Sequence, residues 1–240
     1  MSESVIQYKI DTDQVVDLII ASGVFRPTGT TGLLMKAIKQ KILSQSSVLD
    51  LGCGSGVVGL GLAMNKIVKP PLFASDLSSS AIACTKKNLK NYNFNVEARE
   101  GSMFEPWKNY KFDVIVNDIS GVAEEIAKVS GWFQDIPCHS GEDGASLIYH
   151  VIKEAKKYLN KHGKFFFPVI SLSNIDFILK EAKNTFENVE LISKQEWPLP
   201  DELKSQLSLL EKLRDKGLIK LEKKFGMHIW YTEIYVAYND

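Results

Sequence analysis

The sequence predicts a doubly wound α/β protein with a mostly parallel sheet. Two observations carry that expectation. Short β-branched or fully apolar runs alternate with segments that have apolar residues at helical spacing. A glycine cluster falls between the first strong run and the first small-residue helix. The 240 residues carry 29 Lys+Arg against 29 Asp+Glu, with 45% hydrophobic residues, so the chain is neither a disordered segment nor a strongly basic nucleic-acid binder. One large domain suits this length.

Taken in order, residues 1–30 read as an N-terminal arm and a covering loop. A helix follows over 32–41. Residues 47–51 (SVLDL) read as a buried strand, and 57–65 as the helix after it. Residues 72–76 (LFASD) form the second strand, 79–92 its helix, 95–99 a weaker third strand and 112–116 (FDVIV) a fourth. A helix is expected at 122–129. Leu147, Ile148, Val151, Ile152, Ala155 and Leu159 put one apolar face on a helix over 145–160. The unbroken run 164–170 (KFFFPVI) suits a central strand covered on both faces. A helix at 174–186 and strands at 188–193 and 229–238 complete the set. Residues 197–227 break the rhythm. Trp197-Pro198-Leu199-Pro200 is stiff and extended, then Leu203, Leu207, Leu210 and Leu213 stripe a charged helix ended by Gly217. This insertion reads either as a cover for the sheet edge or as a lid or protein contact. Its residues 201–224 hold seven Lys/Arg and five Asp/Glu, a weak basis for RNA binding.

Asp50-Leu51-Gly52-Cys53-Gly54-Ser55-Gly56 lies in the strand-to-helix turn, where doubly wound sheets bind nucleotide ligands. The dinucleotide fingerprint would need a third glycine at 57, but that residue is Val. Asp50 ahead of the loop suits a ligand with a cationic amine. Asp76 ends the second strand, 24 residues after Gly52, near the spacing of ribose-binding acids.

VLDLGCGSG closely resembles the first motif of class I S-adenosylmethionine-dependent methyltransferases. The nearest group is the release-factor glutamine and ribosomal-protein methyltransferases. The resemblance runs from about residue 24 to 170 and implies a Rossmann-like seven-stranded sheet whose final strand is antiparallel. It implies S-adenosylmethionine as cofactor. Gly52, Cys53, Gly54 and Gly56 would shape its pocket, with Asp50 facing its amino group directly or through water. Asp76 would accept from the ribose hydroxyls, Leu77 would lie under the adenine, and Ser102 with Met103 would flank it. Phe25-Arg26-Pro27-Thr28-Gly29-Thr30-Thr31 looks like the loop that closes over the cofactor, with Thr30 or Thr31 binding its carboxylate or capping the next helix.

The family's Asn-Pro-Pro-Tyr slot is here Asp118-Ile119-Ser120-Gly121. Asp118 stands where the acceptor nitrogen is oriented, with Asn117 as its support. The stacking aromatic is missing, and Trp132 or Phe133 are candidates to replace it. Gly141-Glu142-Asp143-Gly144 resembles a further family turn, with Asp143 expected to cap the next helix. The implied activity is N-methylation of a protein or RNA. The alternatives are a small-molecule N- or O-methyltransferase and a non-catalytic cofactor-binding partner subunit. Three scattered cysteines and no apolar span point to a cytoplasmic protein with no membrane partner. No metal is expected. Cys138-His139 lacks the setting of a thiol nucleophile.

Overall fold

The computed structural model describes residues 3–119, 121–133, 136 and 138–240. It opens with an antiparallel hairpin, β1 (Glu3–Asp11) and β2 (Gln14–Ala21), that forms a sheet of its own. The segment expected as an arm is therefore a hairpin. Val16, Leu18 and Ile20 alternate along β2 and are buried, with Ile10 of β1, against the first two helices. Period-two burial of this kind drives strand formation. Those helices are α1 (Gly29–Lys41) and α2 (Val57–Met64), which bracket β3 (Val48–Leu51). α1 begins three residues before the expected start.

Next come β4 (Leu72–Asp76), α3 (Ser79–Asn91), β5 (Val96–Glu100), β6 (Phe112–Asn117), α4 (Glu124–Val129), α5 (Ser146–Tyr158), β7 (Leu159–Ile170), α6 (Ile175–Thr185) and β8 (Asn188–Pro198). α7 (Asp201–Lys204), α8 (Leu207–Asp215), β9 (Glu222–Lys224) and β10 (Met227–Tyr238) close the chain. The main sheet runs β5-β4-β3-β6-β7-β10-β8, with β9 also on β10. β3 to β7 are parallel, and β10 is antiparallel to both of its long neighbours. The expected seven-stranded, mostly parallel sheet with a final antiparallel strand is present, with β9 added to it.

This order places a reversal between β3 and β6. From β3 the chain winds outward through β4 and β5, then returns to the other side of β3. Leu51 pairs with Asn117 across that seam, so the loops after both strands share one crevice at the carboxyl edge. The sheet is covered on both faces. Phe166 points into the hairpin-side core, whereas Phe165 and Phe167 point into the α5–α6 core, which explains the unbroken apolar run in β7.

β8 reaches Pro198, so Trp197-Pro198 belongs to an edge strand and Trp197 pairs with Trp230 of β10. The insertion proper is two short helices rather than one, ended at Gly217 (φ +74°). Leu203, Leu210 and Leu213 are fully buried against Val122, Ile126 and Leu172. The leucine stripe thus covers the end of the sheet. No helix among the described residues is long and apolar enough to cross a membrane. No group of three His, Cys, Asp or Glu among them could hold a metal ion.

Candidate active site

Gly52, Gly54 and Gly56 all adopt left-handed backbone (φ +72°, +51° and +77°), which bends the chain sharply out of β3. The Gly52 and Cys53 amides donate to the Ser75 carbonyl at 2.8 and 3.0 Å, tying the loop to β4. A Cβ on Gly52 would lie 2.3 Å from the Ile119 side chain, so this glycine lets the two crevice loops touch. A Cβ on Gly54 would meet only open space. That space is a cavity of about 600 Å³. Cys53 is buried, accepts from Thr85 Oγ1 at 3.2 Å, and its thiol is pushed up by burial, so it lines the pocket as an inert group.

Asp76 stands at the end of β4. Its Oδ2 accepts from the Gly54 amide and its Oδ1 from the Ser78 amide, both at 2.9 Å. Each oxygen keeps acceptor capacity toward the cavity. Ser78 caps α3 by accepting from Ala81 N at 3.3 Å. Leu77 lies in the cavity wall and is 73% exposed, an apolar surface fit for a flat ligand group. Ser102 and Met103 line the wall beside it.

Asp50 departs from expectation. It is buried beneath the loop and is not among the cavity-lining residues. Its Oδ2 accepts from the Gly59 amide in the first turn of α2 at 3.0 Å, and its Oδ1 is buried without a partner. Burial lifts this carboxyl from 3.8 to about 7, and the nearby Asp118 and Asp76 charges add to the rise. It serves the helix start, with one acceptor left over.

Asp118 follows β6, half-buried, in the wall of the 600 Å³ cavity. Thr31 Oγ1 donates to its Oδ2 at 2.8 Å and accepts from the Thr28 amide at 3.2 Å. Tyr8 of the hairpin donates to the Thr28 carbonyl at 2.8 Å and so ties the start of α1, which carries Thr31, to β1. Burial raises the Asp118 pKa from 3.8 to about 7, and the Thr31 bond partly offsets that. Thr30 Oγ1 pairs with Thr232 Oγ1 at 3.1 Å. The threonines expected to bind a cofactor carboxylate are thus engaged elsewhere: Thr31 caps α1 and holds Asp118, and Thr30 ties α1 to β10. Asn117 is fully buried, and both its side-chain polar atoms lack partners, so the expected support of Asp118 takes no hydrogen-bonded form.

Ser120 lies outside the described residues. Gly121 explains the lost aromatic. A Cβ there would lie 2.3 Å from Ser140 Oγ and 2.5 Å from the Gly144 carbonyl, so no ring fits. Asp143 accepts from Ala145 N at 3.1 Å and from Asn174 Nδ2 at 3.0 Å, bracing the turn before α5.

A second cavity of about 310 Å³ lies on the other side of Asp118 and Thr31, which line both. Phe25 and Phe133 also border both cavities, their rings 5.5 Å apart. Trp132, Trp197 and Trp230 wall the second. Of these aromatics the sequence places Phe25, Trp132 and Phe133 near the site. Trp197 and Trp230 meet through the β8–β10 register, which sequence spacing does not reveal. Cys138 and His139 do reach the first cavity, with Cys138 Sγ 3.3 Å from Ser140 Oγ.

The fold and the crevice define a Rossmann-like α/β domain with a ligand site at its sheet reversal. Residues 16–118 match the methyltransferase small domain family, and the chain has the fold of class I methyltransferases. It is 25% identical over 168 residues to a release factor glutamine methyltransferase of Geobacter sulfurreducens, covering 66% of this chain and 58% of the relative. It is 26% identical over 144 residues to a ribosomal protein L11 methyltransferase of Thermoanaerobacter pseudethanolicus, covering 60% and 44%. The chain spans about half the length of the curated relatives it matches. A T. thermophilus 16S rRNA N2 G1207 methyltransferase, solved with AdoMet and guanosine, superposes with a TM-score of 0.67 at 14% identity, over 99% of this chain and 51% of that one. A precorrin-6y C5,15-methyltransferase from Geobacter metallireducens does so at 0.57 and 14%, over 98% and 100%.

Proposed function

We propose that the protein is an S-adenosylmethionine-dependent methyltransferase that methylates a nitrogen presented at Asp118. The observation that carries this is the 600 Å³ cavity at the sheet reversal. Among the described residues its walls hold the glycine loop, two carboxylates and no lysine or arginine. Such a wall favours a cationic ligand. The orphaned Asp50 Oδ1 behind the loop adds negative potential from below. Gly54 faces the ligand, Asp76 accepts from its ribose hydroxyls, and Leu77, Ser102 and Met103 take its ring. The cofactor, when bound, supplies a methyl group activated for in-line displacement.

Asp118 does the rest. It accepts a hydrogen bond from the acceptor N–H and aims the nitrogen lone pair at the methyl group. With its pKa raised to about 7, it takes the proton that the nitrogen sheds. Thr31 holds the carboxylate in place. Alignment of this kind accounts for roughly 7–11 kcal/mol of a barrier. The names of the curated relatives support a macromolecular acceptor, a protein. That no lysine or arginine is among the described residues lining either cavity supports a second reading, a small-molecule acceptor.

Calorimetry tests the cofactor reading. S-adenosylmethionine should bind one to one, and Asp76→Ala should weaken it at least about tenfold, the effect of losing charge-assisted hydrogen bonds. Tight binding of a nicotinamide dinucleotide without S-adenosylmethionine binding would refute it.

A further inference from the structure

Resting on the methyl-transfer reading, we propose that the 310 Å³ chamber beyond Asp118 is the acceptor site and takes a free planar heteroaromatic ring bearing an exocyclic N–H. Three of the four tryptophans of the chain wall this one chamber. Their rings are fixed from behind. Trp197 Nε1 donates to Thr232 Oγ1 at 3.3 Å, and Thr232 is itself fully buried and paired with Thr30. A Cβ on Gly29 would sit 2.6 Å from the Trp197 ring, so the start of α1 buttresses it closely. Trp230 Nε1 donates to the Pro198 carbonyl at 3.2 Å. Trp197 and Trp230 lie 6.0 Å apart and 28° from parallel, and Trp132 closes on Trp230 at 5.1 Å.

Because the Trp197 and Trp230 N–H groups are spent inside the protein, neither is left to donate to a ligand, and the rings wall the chamber with carbon surface. Ring faces select flat π systems by stacking. Asp118 is the acid on the wall that the chamber shares with the cofactor cavity, and it supplies an acceptor for the ring's N–H. A bare alkyl ammonium would leave most of this aromatic surface uncovered, and a side-chain amide is smaller than the chamber. A base held in a nucleic acid strand would bring phosphates that need cationic partners. Among the described residues the chamber wall has no lysine or arginine, which favours a free ring. The aromatic that Gly121 cannot carry is thus supplied by three separate segments.

The test is tryptophan fluorescence of the full chain, titrated with guanosine and cytidine as ring probes and with n-butylamine and acetamide as controls. S-adenosylhomocysteine is kept saturating. At least one nucleoside should quench saturably and the controls should not. Trp197→Ala should weaken that binding about tenfold, in the range for a lost base–aromatic stack. Its affinity for S-adenosylhomocysteine by calorimetry should stay within about twofold of the parent, which also shows that the variant is folded. Trp197→Phe should restore binding to within about threefold, since the ring face returns. No saturable quenching by either nucleoside, equal or tighter binding of a control, or an unchanged Trp197→Ala would overturn the proposal. A single-stranded oligonucleotide binding tenfold tighter than its nucleoside would overturn the free-ring assignment. Failure of the cofactor reading looks different: ring binding persists while neither S-adenosylmethionine nor S-adenosylhomocysteine binds.

Discussion

The two cavities that meet at Asp118 are built in opposite ways. The larger has its floor in one stretch of chain, from Leu51 to Met103, and segments as far apart as Gly23 and Leu147 complete its wall. Its loop is bonded to residues close in sequence, Gly54 to Asp76 and Cys53 to Thr85, and its shape comes from three left-handed glycines. The smaller is assembled from distant pieces. Thr31 reaches Asp118, Thr30 reaches Thr232, and Phe25 meets Phe133. A backbone-built pocket keeps its ligand while surface side chains change. A side-chain-built chamber can be refashioned one residue at a time. The larger pocket thus depends on backbone shape and the smaller chamber on individual side chains.

The largest effect that separates the halves should come from Asp118→Ala. Turnover should fall about 10²–10⁴-fold, the contribution of a positioned base, with cofactor affinity changed by only a few-fold. Steady-state rates with calorimetry on the same sample check this. A matching loss of cofactor affinity would mean that the halves are one site. The pH profile sharpens the same point. Burial holds the Asp118 carboxyl near 7, so kcat/KM should rise through about pH 7 as the base deprotonates. Asp118→Asn should remove that limb and leave cofactor binding flat across it.

Next in size is Gly52→Ala. The new methyl would meet Ile119 at 2.3 Å on a backbone at φ +72°, and Ile119 follows the acceptor acid directly. The left-handed backbone alone costs about 1–2 kcal/mol with a Cβ. This variant should damage both halves, with cofactor affinity down about five- to thirtyfold where binding must bear that energy. Gly54→Ala shares the left-handed cost (φ +51°) but meets open space, so it should lose cofactor affinity while its Tm falls less than that of Gly52→Ala. Equal Tm losses for the two variants would contradict the loop geometry.

Leu210→Ala probes the cover over the acceptor half. Leu210 is fully buried in the cluster with Val122 and Trp230, so truncation should cost about 2–5 kcal/mol in urea unfolding. Turnover per folded molecule should drop less than for Asp118→Ala, because Leu210 touches neither cavity.

The same contrast explains what could be read from the sequence. The glycine turn LGCGSG, Asp76 at the end of β4 and the apolar run of β7 are local patterns whose physics lies in adjacent residues, and each falls on the element expected of it. The β1–β2 hairpin was missed although Val16, Leu18 and Ile20 alternate, because the charged residues around them resemble a solvated arm. Trp197 read as part of an insertion, since its pairing with Trp230 depends on a register set by the whole sheet. Thr31 read as a ligand or a cap, and only the fold brings Asp118 to its hydroxyl. Asp50 was placed at the ligand on family resemblance. The competing partner, the Gly59 amide at the start of α2, becomes visible once the helix is positioned.

Asp50 supplies the smallest and most diagnostic effect. Its carboxyl has an ordinary value of 3.8 and sits near 7 in the fold because burial disfavours the charge. Between about pH 4 and pH 7 the folded chain therefore holds a proton that the unfolded chain has released. Stability should fall as pH rises through that window, by at most about 1.4 kcal/mol per pH unit from this group, and level off above it. Asp118 acts in the same direction, so Asp50→Asn should reduce the slope in urea unfolding without abolishing it. A cationic ligand above the loop would favour ionised Asp50 and pull its pKa down. The slope should then shrink further with S-adenosylmethionine present in the parent, and by less in Asp50→Asn. A slope indifferent to both substitution and ligand would show that Asp50 is electrically isolated from the cofactor half.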